Sequence, residues 1–205
     1  AGVVYGINQL LDRKLTQKQM LQYALEGEKI SVSNPHADNI APCLLGGLTL
    51  IRDTKSLDVL SIPIANYHIA LINPHISINT EDARNILPKD IQLKSAINQW
   101  GNLGALIFGF VSNNNKLIKR SMNDVIIEPV RSSLIDGFDE IKSNALKLGA
   151  IGSGISGSGP TIFALCESKK IALNIIDFSE HHYKSLNLGC STFLAQVNNK
   201  GPVIL

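Results

Sequence analysis

The chain has 205 residues, of which 44% are hydrophobic and 18% charged, a composition typical of a globular protein with one large core or two small ones. Its 19 basic and 17 acidic residues give a formal net charge of +2, which offers no broad electrostatic field for a nucleic acid. No apolar run in the sequence is long enough to span a bilayer, so we expect neither nucleic acid nor membrane as a partner.

The three cysteines, Cys43, Cys166 and Cys190, are odd in number, widely spaced and surrounded by apolar residues. Such usage is typical of reduced core thiols in a cytoplasmic protein. The chain also begins without methionine and already in a helical rhythm of apolar residues, from which we expect it to start inside an element of a longer protein.

The first part of the chain predicts two helices followed by three strands. Residues 1–13 carry apolar side chains at helical spacing, and a second helix begins after Thr16, whose hydroxyl can cap it. Its expected buried face includes Met20, Tyr23 and Ala24. Strand character marks residues 46–51, 57–64 and 67–73.

The middle of the chain predicts three more helices. Thr80 can cap a helix that ends at Pro88, because proline cannot continue the helical hydrogen bonds. A long amphipathic helix follows over 90–111, and another is predicted over 134–148. The expected buried side of the long helix comprises Ile97, Trp100, Leu103, Leu106, Ile107 and Phe110.

The last part of the chain alternates strand and helix signals. The stretches AIGSGIS (150–156), PTIFALC (160–166) and GCSTFLAQV (189–197) predict strands, and residues 169–185 have helical period. The resulting order of strand, glycine turn, strand, helix and strand predicts an α+β sandwich. His181 and His182, near the helix end, have no third ligand at metal spacing, so we interpret them as solvated side chains.

The glycine-rich turn in this region matches G-x-G-x-x-G at Gly152, Gly154 and Gly157. That fingerprint binds dinucleotides only when a helix follows the loop, whereas Pro160 and a strand follow here. No G-x-x-x-x-G-K-[ST] motif occurs in the sequence either, so a P-loop nucleotidase is also unsupported. Two interpretations remain: an anion site lined by amides and hydroxyls, or a tight turn that needs glycine for positive φ, which the local pattern favours.

A second polar cluster contains His36, Asp38 and Asn39 between two prolines. Such residues are often turn and capping residues, because Asn and Asp readily bond their own backbone. Arg84 and Arg131 also lie at the ends of predicted elements, where arginines suit bidentate binding of a carboxylate or phosphate. Each arginine alone is more often an ordinary surface ion pair.

Four stretches, in order along the chain, carry a resemblance to a known family. GISGSGPTIFAL (154–165) resembles the third signature of the GHMP small-molecule kinases. HADNIAPCLLGG (36–47), INTEDARNILP (78–88) and DVIIEPVR (124–131) resemble the branch of that family that phosphorylates L-homoserine with ATP in threonine biosynthesis. The resemblance implies an ATP-dependent, cytoplasmic enzyme of amino-acid biosynthesis and, from the habit of the family, a homodimer.

The same resemblance implies a fold, its domain boundaries and the family motifs that this chain lacks. Residues 1–65 correspond to the C-terminal part of the ATP-binding, S5-domain-2-like N-terminal domain, and 66–205 to a ferredoxin-like α/β sandwich, the C-terminal domain. The ATP loop and the first substrate signature of the family would lie upstream of Ala1. We therefore expect the 205 residues alone to be inactive.

The resemblance also implies roles for individual residues. The magnesium-binding glutamate of the family corresponds to Glu28, and Mg²⁺ prefers one or two carboxylates beside phosphate oxygens and water. Positions beside the nucleotide phosphates correspond to Gly157, Ser158 and Gly159. Substrate-binding positions correspond to His36, Asn39, Thr80, Arg84, Arg131, Ser156, Gly157 and Ser158, with both arginines on the α-carboxylate. The implied catalytic set is Glu28, Asn39, Arg84 and Arg131.

No aspartate in the sequence is an evident general base, so we expect Mg²⁺ and alignment to carry the reaction, with the hydroxyl proton passing directly to phosphate. Two alternatives stay open. Another GHMP kinase, acting on mevalonate or shikimate, would share the glycine turn but would not need two carboxylate-directed arginines. A non-catalytic protein that binds an amino acid would fit a chain without the ATP loop.

Overall fold

The computed structural model describes residues 1–12, 14–30, 36–78, 83 and 85–204. The chain divides into two compact units, one of Ala1–Ile64 with Val197–Leu205 and one of Ala65–Gln196. The expected family domains, 1–65 and 66–205, differ from these units in where the last nine residues belong, and as a domain assignment they stay a prediction.

The first unit contains three helices and a two-stranded sheet in its described residues. They are α1 (Gly2–Leu10), α2 (Gln17–Glu28), α3 (Ala37–Leu45), β1 (Leu48–Asp53) and β2 (Asp58–Ile62). The two strands are antiparallel, with Leu48 opposite Ile62. The predicted helices and strands of this part are therefore present, with α3 in addition where sequence reasoning had a turn.

Local sequence explains how α2 begins and what it packs against. The Thr16 hydroxyl accepts a hydrogen bond from the Gln19 N–H at 3.2 Å, and the Gln19 side chain accepts one from the Thr16 N–H at 2.9 Å, which is a complete capping box. The core between α2 and α3 contains Met20, Leu21, Ala24, Ile40, Ala41 and Leu44. Tyr23 was wrongly expected in this core, because its side chain is 57% exposed.

The C-terminal segment packs within the first unit. The Asn199 side chain accepts a hydrogen bond from the Ile64 N–H at 3.1 Å and donates one to the Ile64 carbonyl at 2.8 Å. Gly46, with φ of +71°, approaches the segment so closely that a Cβ there would lie 2.5 Å from the Gly201 nitrogen. These contacts explain why residues 197–204 group with the beginning of the chain.

The second unit is built on a four-stranded antiparallel sheet. Its elements are β3 (His68–Pro74), α4 (Leu93–Val111), α5 (Asn115–Ser121), α6 (Glu128–Arg131), a 3₁₀ turn (Ser132–Leu134), α7 (Phe138–Lys147), β4 (Gly152–Ile155), β5 (Ile162–Cys166), α8 (Lys169–Ser185) and β6 (Cys190–Gln196). The strand order β4-β5-β3-β6 with helical crossovers is the ferredoxin-like arrangement, so the predicted α+β sandwich is confirmed.

The core of this unit lies between the sheet and helices α7 and α8. Alternate residues of β3 and β5 point into it, because side chains of a strand alternate between the two faces of a sheet. The fully buried members include Ala70, Ile72, Ile141, Ala145, Ile162, Ala164, Ile175 and Tyr183.

Several expectations about individual side chains were wrong. Ile97, Trp100 and Leu103 of α4 are 57%, 63% and 46% exposed, whereas Phe110 is buried as expected. The thiol residue Cys43 is exposed, although Cys166 is buried. His182 is half-buried and stacks on Phe178, so it is not a solvated side chain.

Helix boundaries also differ from the prediction in one region. The helix expected over 134–148 begins only at Phe138, after a 3₁₀ turn and Gly137 in the left-handed conformation. Helices α5 and α6 were not predicted as helices. Within the ranges that the structure describes, no helix has the length and apolar content needed to cross a membrane.

Candidate functional site

A cavity of about 260 Å³ lies in the second unit beside α4, α6 and the β4–β5 hairpin. Apolar side chains such as Leu103, Leu106 and Phe163 form part of its wall. Its polar and charged lining residues are Gln99, Ser121, Asn123, Asp124, Glu128, Arg131 and Ser153. A mostly apolar cavity with a few converging polar groups is typical of a small-molecule site.

Asp124 explains why the short helix α6 begins where it does. One carboxylate oxygen accepts hydrogen bonds from the N–H groups of Ile126 and Ile127 at 2.8 and 2.9 Å, and the other accepts from Glu128 at 3.2 Å. Pro129 follows in the first helical turn, where a missing N–H costs nothing. Asp124 thereby fixes the turn that presents Glu128 and Arg131 to the cavity.

Arg131 connects two separate segments at the cavity. Its Nε donates to the Ala83 carbonyl at 3.3 Å, and its Nη1 donates to the Gly157 carbonyl at 3.0 Å. Its remaining N–H groups donate to no other group in the part of the chain that the structure describes. Because the carbonyls are neutral, the guanidinium keeps its full positive charge at the cavity and has donors left for an anion.

The glycine-rich loop joins β4 to β5 as a tight turn. The Ser156 N–H donates to the Thr161 carbonyl at 2.8 Å, and the Gly159 N–H donates to the Ser156 carbonyl at 3.1 Å. Gly157 has φ of +61°, a conformation that favours glycine. The N–H groups of Gly157 and Ser158 donate to no group among the described residues. The turn thus leaves two of its amides for a ligand.

A partly buried ion pair includes Glu128, one of the residues that line the cavity. Glu128 of α6 pairs with Lys142 of α7, and their side chains are only 13% and 19% exposed. The Lys142 ammonium also lies 5.9 Å from the centroid of the Phe138 ring. Sequence reasoning missed Asp124 and Lys142, because neither capping of a four-residue helix nor a pair 14 residues apart leaves a periodic signal.

The remaining predicted site residues of the described chain belong to the first unit. Glu28 is the last residue of α2 and is half-buried. His36 directly precedes α3, and Asn39 lies in its first turn, where its N–H donates to the Asp38 carboxylate at 3.0 Å. Both His36 and Asn39 are exposed at this helix end.

Two predicted site residues, Thr80 and Arg84, lie outside the described residues. Among the predicted residues of the second unit, the structure brings Arg131 into contact with Gly157, while Ser156, Ser158 and Gly159 belong to the same loop. Across the described ranges, no three His, Cys, Asp or Glu side chains converge as a metal site.

Comparisons with known proteins agree with this architecture. The family model for the GHMP kinases N-terminal domain matches residues 1–47, and the model for the GHMP kinases C-terminal domain matches residues 93–184. The chain is 41% identical to a homoserine kinase of Chlorobium phaeobacteroides over 91% of its length and 39% identical to one of Chloroherpeton thalassium over all of it. It spans 58% and 65% of the lengths of these two relatives.

Solved structures give the same result. The crystal structure of homoserine kinase from Cytophaga hutchinsonii matches 98% of this chain with a TM-score of 0.93 and 47% identity, and the match spans 64% of that protein. Mevalonate kinase of L. major matches at a TM-score of 0.71 with 17% identity, which shows a shared fold only. With both family models and these relatives in agreement over the two units, the chain belongs to the GHMP kinase family.

Proposed function

We propose that the intact protein transfers the γ-phosphoryl group of ATP to the side-chain hydroxyl of L-homoserine. Relatives 39–47% identical to this chain are homoserine kinases, which supports this substrate over others used in the family. Because the chain spans less than two thirds of those relatives, the proposal concerns the whole protein.

The observation that carries the proposal is that the Arg131 guanidinium binds only neutral carbonyl groups among the described residues. A guanidinium that binds two neutral carbonyls retains its charge and spare donors beside an otherwise largely apolar cavity. Such a group recognises a carboxylate through a charge-assisted hydrogen bond. We propose that Arg131, together with Arg84, binds the α-carboxylate of homoserine, with Thr80, His36 and Asn39 as further substrate contacts.

The glycine loop has donors that suit the nucleotide side of the reaction. The N–H groups of Gly157 and Ser158 are available to phosphate oxygens, as in other anion-binding turns. We propose that Gly157, Ser158 and Gly159 border the ATP phosphates, and that Ser156, Gly157 and Ser158 also border the substrate.

Glu28 is the residue that we propose for Mg²⁺. Glu28 is the last residue of α2. The C-terminal end of a helix carries a partial negative charge that favours a cation, and the carboxylate of Glu28 adds a full negative charge. One carboxylate suits this ion, which takes its remaining ligands from phosphate and water and, when bound, neutralises charge on the transferred group.

The reaction then depends mainly on positioning. The homoserine hydroxyl oxygen attacks the γ-phosphorus, the bond to the bridging oxygen of ADP breaks, and the hydroxyl proton passes to the phosphate. The residues of this chain bind and orient the substrate, with Asn39 assigned to the amino acid.

The free thiols of Cys166 and Cys190 support a cytoplasmic location for the protein. We also propose that the intact protein is a homodimer.

A substrate comparison tests the proposal. The intact protein with ATP and Mg²⁺ should release ADP with L-homoserine at a kcat/KM at least tenfold above those with mevalonate and shikimate, measured by a coupled ADP assay. Equal rates on the three substrates would refute the proposed substrate. Tight binding of L-homoserine by calorimetry without ADP release would instead identify a non-catalytic binding protein.

A further inference from the structure

The short helix α6 carries opposite charges three residues apart. Glu128 and Arg131 are at a spacing that makes side chains neighbours on a helix, so a carboxylate and a guanidinium at these positions are able to pair. The structure has a different pairing. Glu128 pairs with Lys142 of α7, and Arg131 donates to the carbonyls of Ala83 and Gly157.

The surroundings of Glu128 favour its pairing with Lys142. A Cβ on Gly154 would lie 2.9 Å from a carboxylate oxygen of Glu128 and 3.3 Å from the Phe163 ring, so this oxygen lies directly against the β4 backbone. The Glu128 side chain is 13% exposed. A carboxylate with so little access to water needs a cationic partner, because an uncompensated buried charge is costly.

The ion-pair partner of Glu128 determines whether Arg131 presents a net positive charge to the cavity. If Glu128 paired with Arg131, the two charges would cancel and the guanidinium would lose donors to the carboxylate. With Lys142 as the partner, the charge of Glu128 is neutralised from the α7 side. Arg131 then keeps its positive charge and its remaining donors for an anionic ligand.

We infer that Lys142 is a positioning residue for substrate binding: it holds Glu128 away from Arg131 and so keeps Arg131 available for the substrate carboxylate. This inference rests on the proposed function, since it assigns the ligand of Arg131 to homoserine. Lys142 acts through Glu128 and Arg131 and touches no substrate itself.

Four variants of the intact protein test this role. Lys142→Met should raise the KM for L-homoserine by about tenfold or more, because the freed Glu128 captures Arg131, while the KM for ATP changes less than about twofold. Lys142→Arg should restore the wild-type KM. The double variant Glu128→Gln with Lys142→Met should also restore most of it, because the competing carboxylate is gone. Lys147→Met, an exposed lysine of the same helix, is the matched control.

The KM for ATP and the free energy of unfolding separate this role from a structural one. If the pair only stabilised the fold, Lys142→Met would raise the KM for ATP along with that for homoserine, and the double variant would recover both together with the stability of wild type. That result would overturn the inference. Where Lys142→Met fails to fold, as judged by circular dichroism, Lys142→Gln replaces it, alone and combined with Glu128→Gln. We then expect a selective rise in the KM for homoserine in Lys142→Gln and its recovery in the double variant, and an unchanged KM in Lys142→Gln would overturn the inference.

The proposed function and this inference fail in different ways. A wild-type protein that does not phosphorylate L-homoserine refutes the proposed function and, with it, the ligand assigned to Arg131. A wild-type protein that does so, while Lys142→Met has the same KM as Lys147→Met, refutes the inference alone.

Discussion

At the scale of single residues, the chemistry of the site depends on how Arg131 is held. Two main-chain carbonyls from separate segments orient its guanidinium, and neither neutralises it. Asp124 accepts hydrogen bonds from three N–H groups at the helix start, so the arginine side chain projects from a turn that these bonds hold in place. Positioning of this kind is what the proposed phosphoryl transfer requires of its substrate-binding groups.

Removing this charge should weaken substrate binding specifically. A lost charge-assisted hydrogen bond costs about 2 kcal/mol, so Arg131→Ala should raise the KM for L-homoserine roughly 30-fold and leave the KM for ATP nearly unchanged. Arg84→Ala should have the same effect. Arg120→Ala, at an exposed position of α5, is the control for loss of an arginine. An equal rise in the KM for ATP would assign Arg131 to the nucleotide.

Glu28 should affect metal-dependent turnover rather than folding. Glu28→Gln keeps the size of the side chain but removes the charge that Mg²⁺ requires, so kcat should fall by about two orders of magnitude or more. Glu26→Gln, in the same helix and exposed, should keep normal turnover. Wild-type activity of Glu28→Gln at limiting Mg²⁺ would show that Glu28 is not the metal ligand.

The buried thiol of Cys166 makes stability depend on alkaline pH. Burial raises the pKa of this thiol from 9.0 to about 11. The unfolded chain therefore loses the proton first as the pH rises, and the free energy of unfolding falls between about pH 9 and 11, by up to ~2 kcal/mol. Burial also raises the pKa of Tyr183, which acts in the same direction above its ordinary pKa.

Urea unfolding at pH 8, 9, 10 and 11 measures this effect. Cys166→Ala should show a smaller alkaline loss of stability than wild type, whereas Cys43→Ala, which removes an exposed thiol, should show the full loss. Identical pH profiles for Cys166→Ala and wild type would contradict the assignment to Cys166.

At the scale of elements, sequence reasoning predicted the helices and strands that have a regular apolar period and a capping residue. It missed the elements and contacts that depend on tertiary packing. Residues 169–185 form the predicted helix because their apolar period and the Ser168 cap agree. The strands around the glycine turn follow likewise from composition. Helix α6 has only four residues and depends on Asp124, and the Lys142 contact with Glu128 depends on the packing of α7 beside β4. No local sequence pattern indicates the helix α6 or the contact between Lys142 and Glu128.

Helix α4 shows why one buried face was predicted incorrectly. The expected list combined two different sides of the helix, because apolar residues occur all around it. Ile97 and Trp100 lie on an exposed side, and Phe110 lies on the buried side, where its ring contacts Tyr67 with centroids 6.1 Å apart. Periodicity alone cannot decide which side is buried when both are apolar.

The two sides of α4 should respond differently to substitution. Ile97→Lys should change the free energy of unfolding by less than ~0.5 kcal/mol, because the side chain is already exposed. Phe110→Ala should lower it by about 3–5 kcal/mol through lost burial and a cavity. Urea unfolding of both variants measures the difference, and a comparable loss for Ile97→Lys would show that this side is covered.

At the scale of the whole molecule, the chain contains two compact units, and residues 197–204 return to the first. Sequence reasoning could not have found this grouping, because the hydrogen bonds of Asn199 to Ile64 join positions 135 residues apart and leave no local pattern. We propose that the units correspond to the C-terminal part of the ATP-binding domain and to the C-terminal domain of the family.

The identity of the phosphorylated product tests the central claim most directly. The intact protein, incubated with ATP, Mg²⁺ and equimolar L-homoserine and mevalonate, is followed by ³¹P NMR with authentic standards for each product. We predict that O-phospho-L-homoserine accumulates as the dominant new phosphomonoester in step with ADP. Phosphorylation of mevalonate in its place, or no new phosphomonoester while L-homoserine remains, would contradict the account.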